Sequence, residues 1–269
     1  MLEMDQRKIA IVTGASRGLG AAIACWMAKG SAVVVLVARS RNDLDDVAHH
    51  VEQLGGTALV IPADVSNPMA CQHIVDIVLK QFKKIDALVN NAGVISPLAD
   101  IAHADIDQWR HALEVNLLGP FYLTRFALPS LIITHGRIVN VSSGAARTPI
   151  PSASAYCASK AALTHFNRVL AEEEPHITAI SIRPGVVDTP MQAQIRREGS
   201  VTMGSTQYAY YMDLKARNQL EPPEIPARSI AWLALHAPHD MSGEFRNYND
   251  PDIAGPSLSF YGSTFKTVL

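Results

Sequence analysis

Residues Ile9–Thr13 (IAIVT) run without a break into Gly14-Ala15-Ser16-Arg17-Gly18-Leu19-Gly20, and an alanine-rich helical pattern, Gly18–Lys29, takes over from there. This junction constrains the chain more than any other stretch. Glycines at G-x-x-x-G-x-G spacing let the backbone turn tightly and approach a ligand closely. A helix that starts at such a turn offers free N–H groups and the positive end of its dipole to an anion. Strand, glycine turn and helix together suit a pyrophosphate. An unliganded glycine turn is the other reading, and the spacing differs from the G-x-G-x-x-G fingerprint.

The rest of the chain repeats the rhythm. Short runs rich in Val and Ile at 32–38, 58–62, Ala87–Asn90, Arg137–Val141 and 178–182 are apolar on both faces, as strands of a parallel sheet covered on both sides must be. Helical patterns lie between them at 42–54, 69–82, 106–131 and 155–173. Asn42 is placed to start one helix, and Asn67 followed by Pro68 to start another. The alternation predicts an α/β fold with a doubly wound parallel sheet, a Rossmann fold, in one domain over 1–269, with its ligand beyond the carboxyl ends of the strands. Residues 190–226 break the rhythm and are expected to form a small helical substrate lobe or lid. Residues 250–269, rich in Gly, Pro, Ser and Tyr, are expected to be an irregular tail.

A net charge of −2 gives no basic field for nucleic acid or an anionic membrane. Cys25, Cys71 and Cys157 are odd in number and no C-x-x-C occurs, so buried thiols in a reducing compartment are expected. The ten histidines form no ligand-spaced cluster, so no metal is expected. The polar N-terminus and the shortness of the longest apolar run, 32–38, point to a soluble, cytoplasmic protein.

The second strand ends Val37-Ala38-Arg39-Ser40. A carboxylate at this place would bond a ribose 2′-hydroxyl and repel a 2′-phosphate, whereas a guanidinium pairs with the phosphate. Arg39, with Arg17 as a second cation, therefore predicts NADP(H) rather than NAD(H); a merely solvated turn at Arg39 and Arg41 is the alternative. Tyr156 and Lys160 are four apart and share a helix face. Ser143 follows the strand Arg137–Val141, at the sheet edge where ligand is expected. Asn116 sits in the middle of a helical pattern, as a functional group or as a satisfied core amide.

Taken together, TGASRGLG at 13–20, NNAG at 90–93, Asn116, Ser143, Tyr156, Lys160 and Pro184-Gly185 resemble the classical short-chain dehydrogenase/reductase family over roughly residues 8–190. The resemblance implies a catalytic set in which Tyr156 gives its proton to a carbonyl oxygen, Ser143 polarises that oxygen, Lys160 lowers the tyrosine pKa and binds ribose, and Asn116 steadies a water next to Lys160. It also implies that Gly14, Ser16, Arg17, Gly18, Leu19, Gly20, Arg39, Ser40, Asp64, Val65, Asn91, Ala92, Gly93, Pro184, Gly185, Val187 and Thr189 contact the dinucleotide. Asp64 would meet the adenine amine, unless it is a turn cap.

The stretches Pro184-Gly185-Val186-Val187-Asp188-Thr189-Pro190-Met191-Gln192 and 242–250 resemble the branch of sepiapterin and benzil reductases. That likeness implies reduction of a ketone or 1,2-dicarbonyl, with Met191 in the substrate wall and Asp250 as a pterin anchor or, equally, a turn cap before Pro251. A 3-oxoacyl-thioester reductase of the same family and a non-catalytic NADP(H) sensor are the rivals. By the same resemblance the two long helices, 106–131 and 155–173, would pair subunits in a homodimer, with a tetramer possible.

Overall fold

A computed structural model of the chain describes residues 6–263. The first strand, β1 (Ile9–Thr13), sends Ile9 and Ile11 to one face of a sheet and Ala10 and Val12 to the other. Its neighbour β2 (Val33–Ala38) does the same with Val33, Val35 and Val37 against Val34 and Leu36. Successive strand residues point to opposite faces, so an unbroken apolar run satisfies two cores at once. Further strands follow at β3 (Thr57–Pro62), β4 (Ala87–Asn90), β5 (Arg137–Val141), β6 (Thr178–Arg183) and β7 (Phe245–Asn247). All pair in parallel, in the order β3-β2-β1-β4-β5-β6-β7. The order reverses between β1 and β4, and that crevice is where such a sheet takes ligands.

One face is covered by α1 (Gly18–Lys29), α2 (Arg41–Gln53), α9 (Glu224–His236) and α10 (Pro251–Tyr261). The other carries α3 (Pro68–Phe82), α5 (Gly119–Ile133) and α6 (Ser154–Glu173), with α4 (Ile106–Leu113) leading into α5. Helices α7 (Pro190–Thr202) and α8 (Ser205–Ala216) lie over the carboxyl edge and form a third, small apolar cluster in which Ile195 and Tyr211 pack with Ile95 and Leu98. No helix among the described residues is long and apolar enough to cross a membrane.

Asn67 caps α3 as its sequence implies, accepting from the N–H groups of Met69 and Ala70 at 2.9 and 3.3 Å. Four expectations need correction. The cap of α2 is Ser40, whose Oγ accepts from Asp43 N, so the helix begins before Asn42. The pattern 106–131 is not one regular helix: Glu114–Leu118 is a π-helical turn between α4 and α5. Helix α9 and strand β7 were not foreseen. Residues 251–261 are not an irregular tail but α10; Gly255 and Pro256 mask a helix whose Ile253, Ser257 and Tyr261 are buried against α1 and α9. The remainder of that stretch, 264–269, lies outside the described residues.

The Tyr261 ring tilts over Trp26 at 5.3 Å between centroids, and its hydroxyl has no hydrogen-bond partner among the described residues. The ring therefore holds α10 down by apolar burial, not by hydrogen bonding. Tyr261→Ala should cost about 3–5 kcal/mol of stability, while Tyr261→Phe should change it by less than about 1 kcal/mol. Urea denaturation of both variants checks this; a large loss in the phenylalanine variant would contradict it.

Candidate active site

At the reversal point the turn after β1 is tied to the turn after β4. Thr13 Oγ1 accepts from both Asn91 N and Ala92 N, each at 3.0 Å. The Asn91 amide in turn donates to Thr13 O and Gly14 O at 2.9 and 3.3 Å. Gly14 and Gly18 have φ of +63° and +55°, which side-chain-bearing residues rarely adopt. A Cβ on Gly14 would lie 2.9 Å from Ala92 Cα, so the loop can close on β4 only with glycine there. Beyond it α1 starts with its N-terminus open to the crevice, Arg17 at the cap making no side-chain capping bond.

The crevice widens into one groove of about 1190 Å³ along the carboxyl edge of the sheet. Every position expected to contact dinucleotide or substrate lines it, except Asn116 and Asp250. The glycine loop, Arg39, Ser40, Asp64 and Val65 lie at the β1–β3 end; Pro184, Gly185, Val187, Thr189 and Met191 lie beyond, with Ser143, Tyr156 and Lys160. The Asp64 carboxyl is pushed up by burial. Two hydrogen bonds from Ser66 and the nearby Arg39 charge outweigh that and hold it below the usual value. Asp64 thus acts as a turn cap and still faces the groove.

Ser143 starts a short 3-10 turn, Gly144–Ala146, its Oγ accepting from Ala145 N at 3.2 Å. Tyr156, on α6, lines the groove together with Ser143. Lys160, one helical turn on, is almost fully buried and donates to Val141 O at 2.7 Å. Burial pushes the Lys160 ammonium down to about 8. Burial likewise pushes the Tyr156 phenol up to about 12, although Ser143 pulls the other way. Lys160 Nζ is turned onto the Val141 carbonyl and stands 5.7 Å from the Tyr156 ring centroid, so desolvation dominates both groups.

The family model described as short chain dehydrogenase matches residues 8–200, a span that holds β1–β6, the glycine loop, Ser143, Tyr156 and Lys160. The chain belongs to the short-chain dehydrogenase family. It is thereby an oxidoreductase of a family that binds NAD(P). An uncharacterized oxidoreductase of Saccharomyces cerevisiae is 37% identical over 92% of this chain and 98% of its own. The crystal structure of that yeast protein matches with a TM-score of 0.88. The benzil reductase ((S)-benzoin forming) of the same yeast is 33% identical over 90% of this chain and 96% of its own. The crystal structure of the KRED1-Pglu enzyme, 40% identical, covers 88% of this chain and 99% of its own at a TM-score of 0.85.

The structure places Asp250 and Asn116 as follows. Asp250 is outside the groove. Burial raises its carboxyl, but Arg246 and Asn247 more than offset this: Asp250 Oδ2 accepts from Arg246 Nε at 2.8 Å and from Asn247 N at 3.0 Å, holding the turn before α10. It is a turn cap, not a pterin anchor. Asn116 is the satisfied core amide. Its Oδ1 accepts from Val94 N at 2.8 Å, and its Nδ2 donates to Val94 O at 2.9 Å and Ser159 Oγ at 3.1 Å. Asn116 fixes the loop after β4 to α6 at the level of Tyr156, since Ser159 Oγ donates to Tyr156 O at 2.8 Å.

Groove residues missed by sequence reasoning are Ile95, Ile150, Ile195, Gln192, Arg147 and Phe245. Their loops and helices converge only in the folded chain, and none carries a local signal. Asn116→Leu removes both bonds to the Val94 peptide and should cost about 1–3 kcal/mol for each buried group left unpaired. Urea denaturation should reveal that loss. Retention of wild-type stability would show that the amide is not a clamp.

Proposed function

We propose that the protein is an NADPH-dependent reductase of ketones and 1,2-dicarbonyls, with Tyr156 as general acid. One observation carries this reading: Ser143 and Tyr156 face a single groove whose wall there is apolar, built by Ile95, Ile150, Met191, Ile195 and Met203. Polar groups placed at one point of an apolar wall orient a carbonyl by its oxygen and leave its substituents to packing. The yeast benzil reductase is named for a diketone of this kind, which supports the dicarbonyl class. With Asp250 committed elsewhere, a pterin has lost the anchor that would favour it.

The groove suits a dinucleotide. The Gly14 cradle would be filled by any Cβ, the open α1 N-terminus faces a pyrophosphate site, and Arg39 stands where a 2′-phosphate would be met with no carboxylate in place of Ala38. The bound dinucleotide supplies the hydride. Ser143 Oγ donates to the substrate oxygen and Tyr156 Oη donates its proton there as carbon is reduced, leaving an alcohol and a phenolate. Lys160, below its pKa, stabilises that phenolate until a proton is returned from solvent. The outer faces of α5 and α6 would pair two subunits: Phe121 and Val169 are exposed at 43% and 41% there, and Phe121 packs edge-on against Phe166.

NADPH oxidation against benzil, sepiapterin, a simple aryl ketone and an acetoacetyl thioester tests the reading. Benzil turnover lost by at least about 10³-fold in Tyr156→Phe is expected, in line with removal of the group that both protonates and orients. Lys160 carries charge below about pH 8 and loses it above. kcat/KM for NADPH, which reports the free enzyme, should therefore fall as pH rises through that value, and Lys160→Met should lack this limb. Preferential turnover of the thioester would replace the dicarbonyl class by a 3-oxoacyl one.

The cofactor choice has its own test. Arg39→Ala should weaken NADPH binding by about tenfold or more, the loss of a charge-assisted pair, and leave NADH binding within about twofold. Fluorescence titration measures both; tighter NADH than NADPH binding by the unaltered protein would refute the assignment.

A further inference from the structure

The groove ends under β5, β6 and β7, past Ser143. Two arginines stand at that end. Arg183 closes β6, and its guanidinium lies against Gly144: a Cβ there would be 3.2 Å from Nε and 3.4 Å from Cζ. Arg147 follows the 3-10 turn that Ser143 starts. Its N–H donates to Gly144 O at 3.0 Å and its Cζ stands 4.2 Å over the Phe245 ring. Phe245 and Asn247 line the groove beside them, with Asn247 in register with Arg183. Both arginines are thus fastened next to the residue that receives the substrate oxygen, one by packing on a glycine, the other by stacking on an aromatic face.

Neither makes an ion pair among the described residues. The carboxylates that could neutralise them are engaged elsewhere. Glu244, Asp250 and Asp252 all gather on Arg246, which the alternation of β7 turns away from the face bearing Phe245 and Asn247. Glu221 lies beside Tyr248 over Gly185, where burial and this carboxylate push the Tyr248 phenol up. The carboxylates lining the groove, Asp43 and Asp64, are at its other end, beside Arg39. Both guanidiniums are solvent-exposed and free of ion pairs among the described residues, and together they make the groove positive beyond Ser143.

Given the reductase reading above, on which this rests, we propose that the substrate is a carbonyl compound bearing an anionic group, held by Arg147 and Arg183 while its carbonyl meets Ser143 and Tyr156. A carboxylate is the form that matches planar guanidinium forks bidentately. Within the ketones and 1,2-dicarbonyls the preferred substrates are then oxo acids, and the arginines set that preference without touching the reacting atoms.

The test pairs acids with their methyl esters: benzoylformate and 4-acetylbenzoate, which place the carboxylate near to and far from the carbonyl. In the unaltered enzyme with NADPH, kcat/KM for at least one acid should exceed that of its ester by about tenfold or more. Arg147→Gln or Arg183→Gln should lower the acid's value by about 10- to 100-fold, mostly through KM, and leave the ester's within about twofold. Esters used as well as both acids, or an equal loss for acid and ester, overturns the proposal. A second readout needs no turnover: benzoate should bind the enzyme–NADPH complex, detected by fluorescence, and benzamide should not. Arginine-dependent benzoate binding without reduction of any carbonyl would sink the reductase reading and keep the anion site. Ester reduction without benzoate binding would keep the reductase and sink the anion site. Inorganic phosphate binding in preference to benzoate would overturn the choice of carboxylate.

Discussion

Thr13 and Asn91 exchange hydrogen bonds across the point where the strand order reverses, and the rest of the molecule is arranged around that exchange. A doubly wound sheet must part its helices to opposite faces there, which leaves a crevice whose backbone groups have no ladder partner. The Thr13 hydroxyl takes two of those N–H groups and the Asn91 amide takes two of the carbonyls. With these groups satisfied from below, the glycine loop can leave the N–H groups of α1 open to the groove. A crevice satisfied from within by longer side chains would have had no room for a pyrophosphate.

Above that clamp, a chain of buried amides carries rigidity toward the catalytic helix. Asn90 donates to Asn140 at 2.8 Å, Asn140 to Asn167 at 2.9 Å, and Asn167 to Ala179 O at 3.1 Å, so β4, β5, α6 and β6 are locked in depth as well as by their ladders. Asn116 adds the loop after β4 to the same frame through Val94 and Ser159. Buried polar networks of this kind are costly when incomplete and specify one geometry when complete. Tyr156 and Lys160 emerge from that frame with opposed shifts, the phenol raised and the ammonium lowered, both by the same withdrawal from water. The site thus holds a proton on the tyrosine through the neutral range and makes its lysine titrate near it.

The strands were legible because burial on both faces demands unbroken Val/Ile runs, and few other structures tolerate these. The glycine loop was legible because positive φ and close backbone approach require glycine. Helix α10 was not, since Gly255 and Pro256 are local arguments against a helix, and only burial of Ile253 and Tyr261 against α1 and α9 overrules them. Asp250 shows a different limit. A carboxylate before Pro251 has the same sequence whether it anchors a ligand or caps a turn, and the presence of Arg246 on its side of β7 decides the matter.

Sequence alone determined strands β1–β6, the glycine loop, the family and the placement of Ser143, Tyr156 and Lys160 in the chain, because each is written in local backbone chemistry or in a fixed spacing along the sequence. Tertiary structure alone decided that Asn116 clamps a loop, that Asp250 is outside the groove, and that Arg147 and Arg183 both come next to Gly144 while Glu244, Asp250 and Asp252 are drawn off by Arg246. Those outcomes depend on which charges and hydrogen-bonding groups remain unpaired after folding, and that is settled by contacts between segments far apart in the chain.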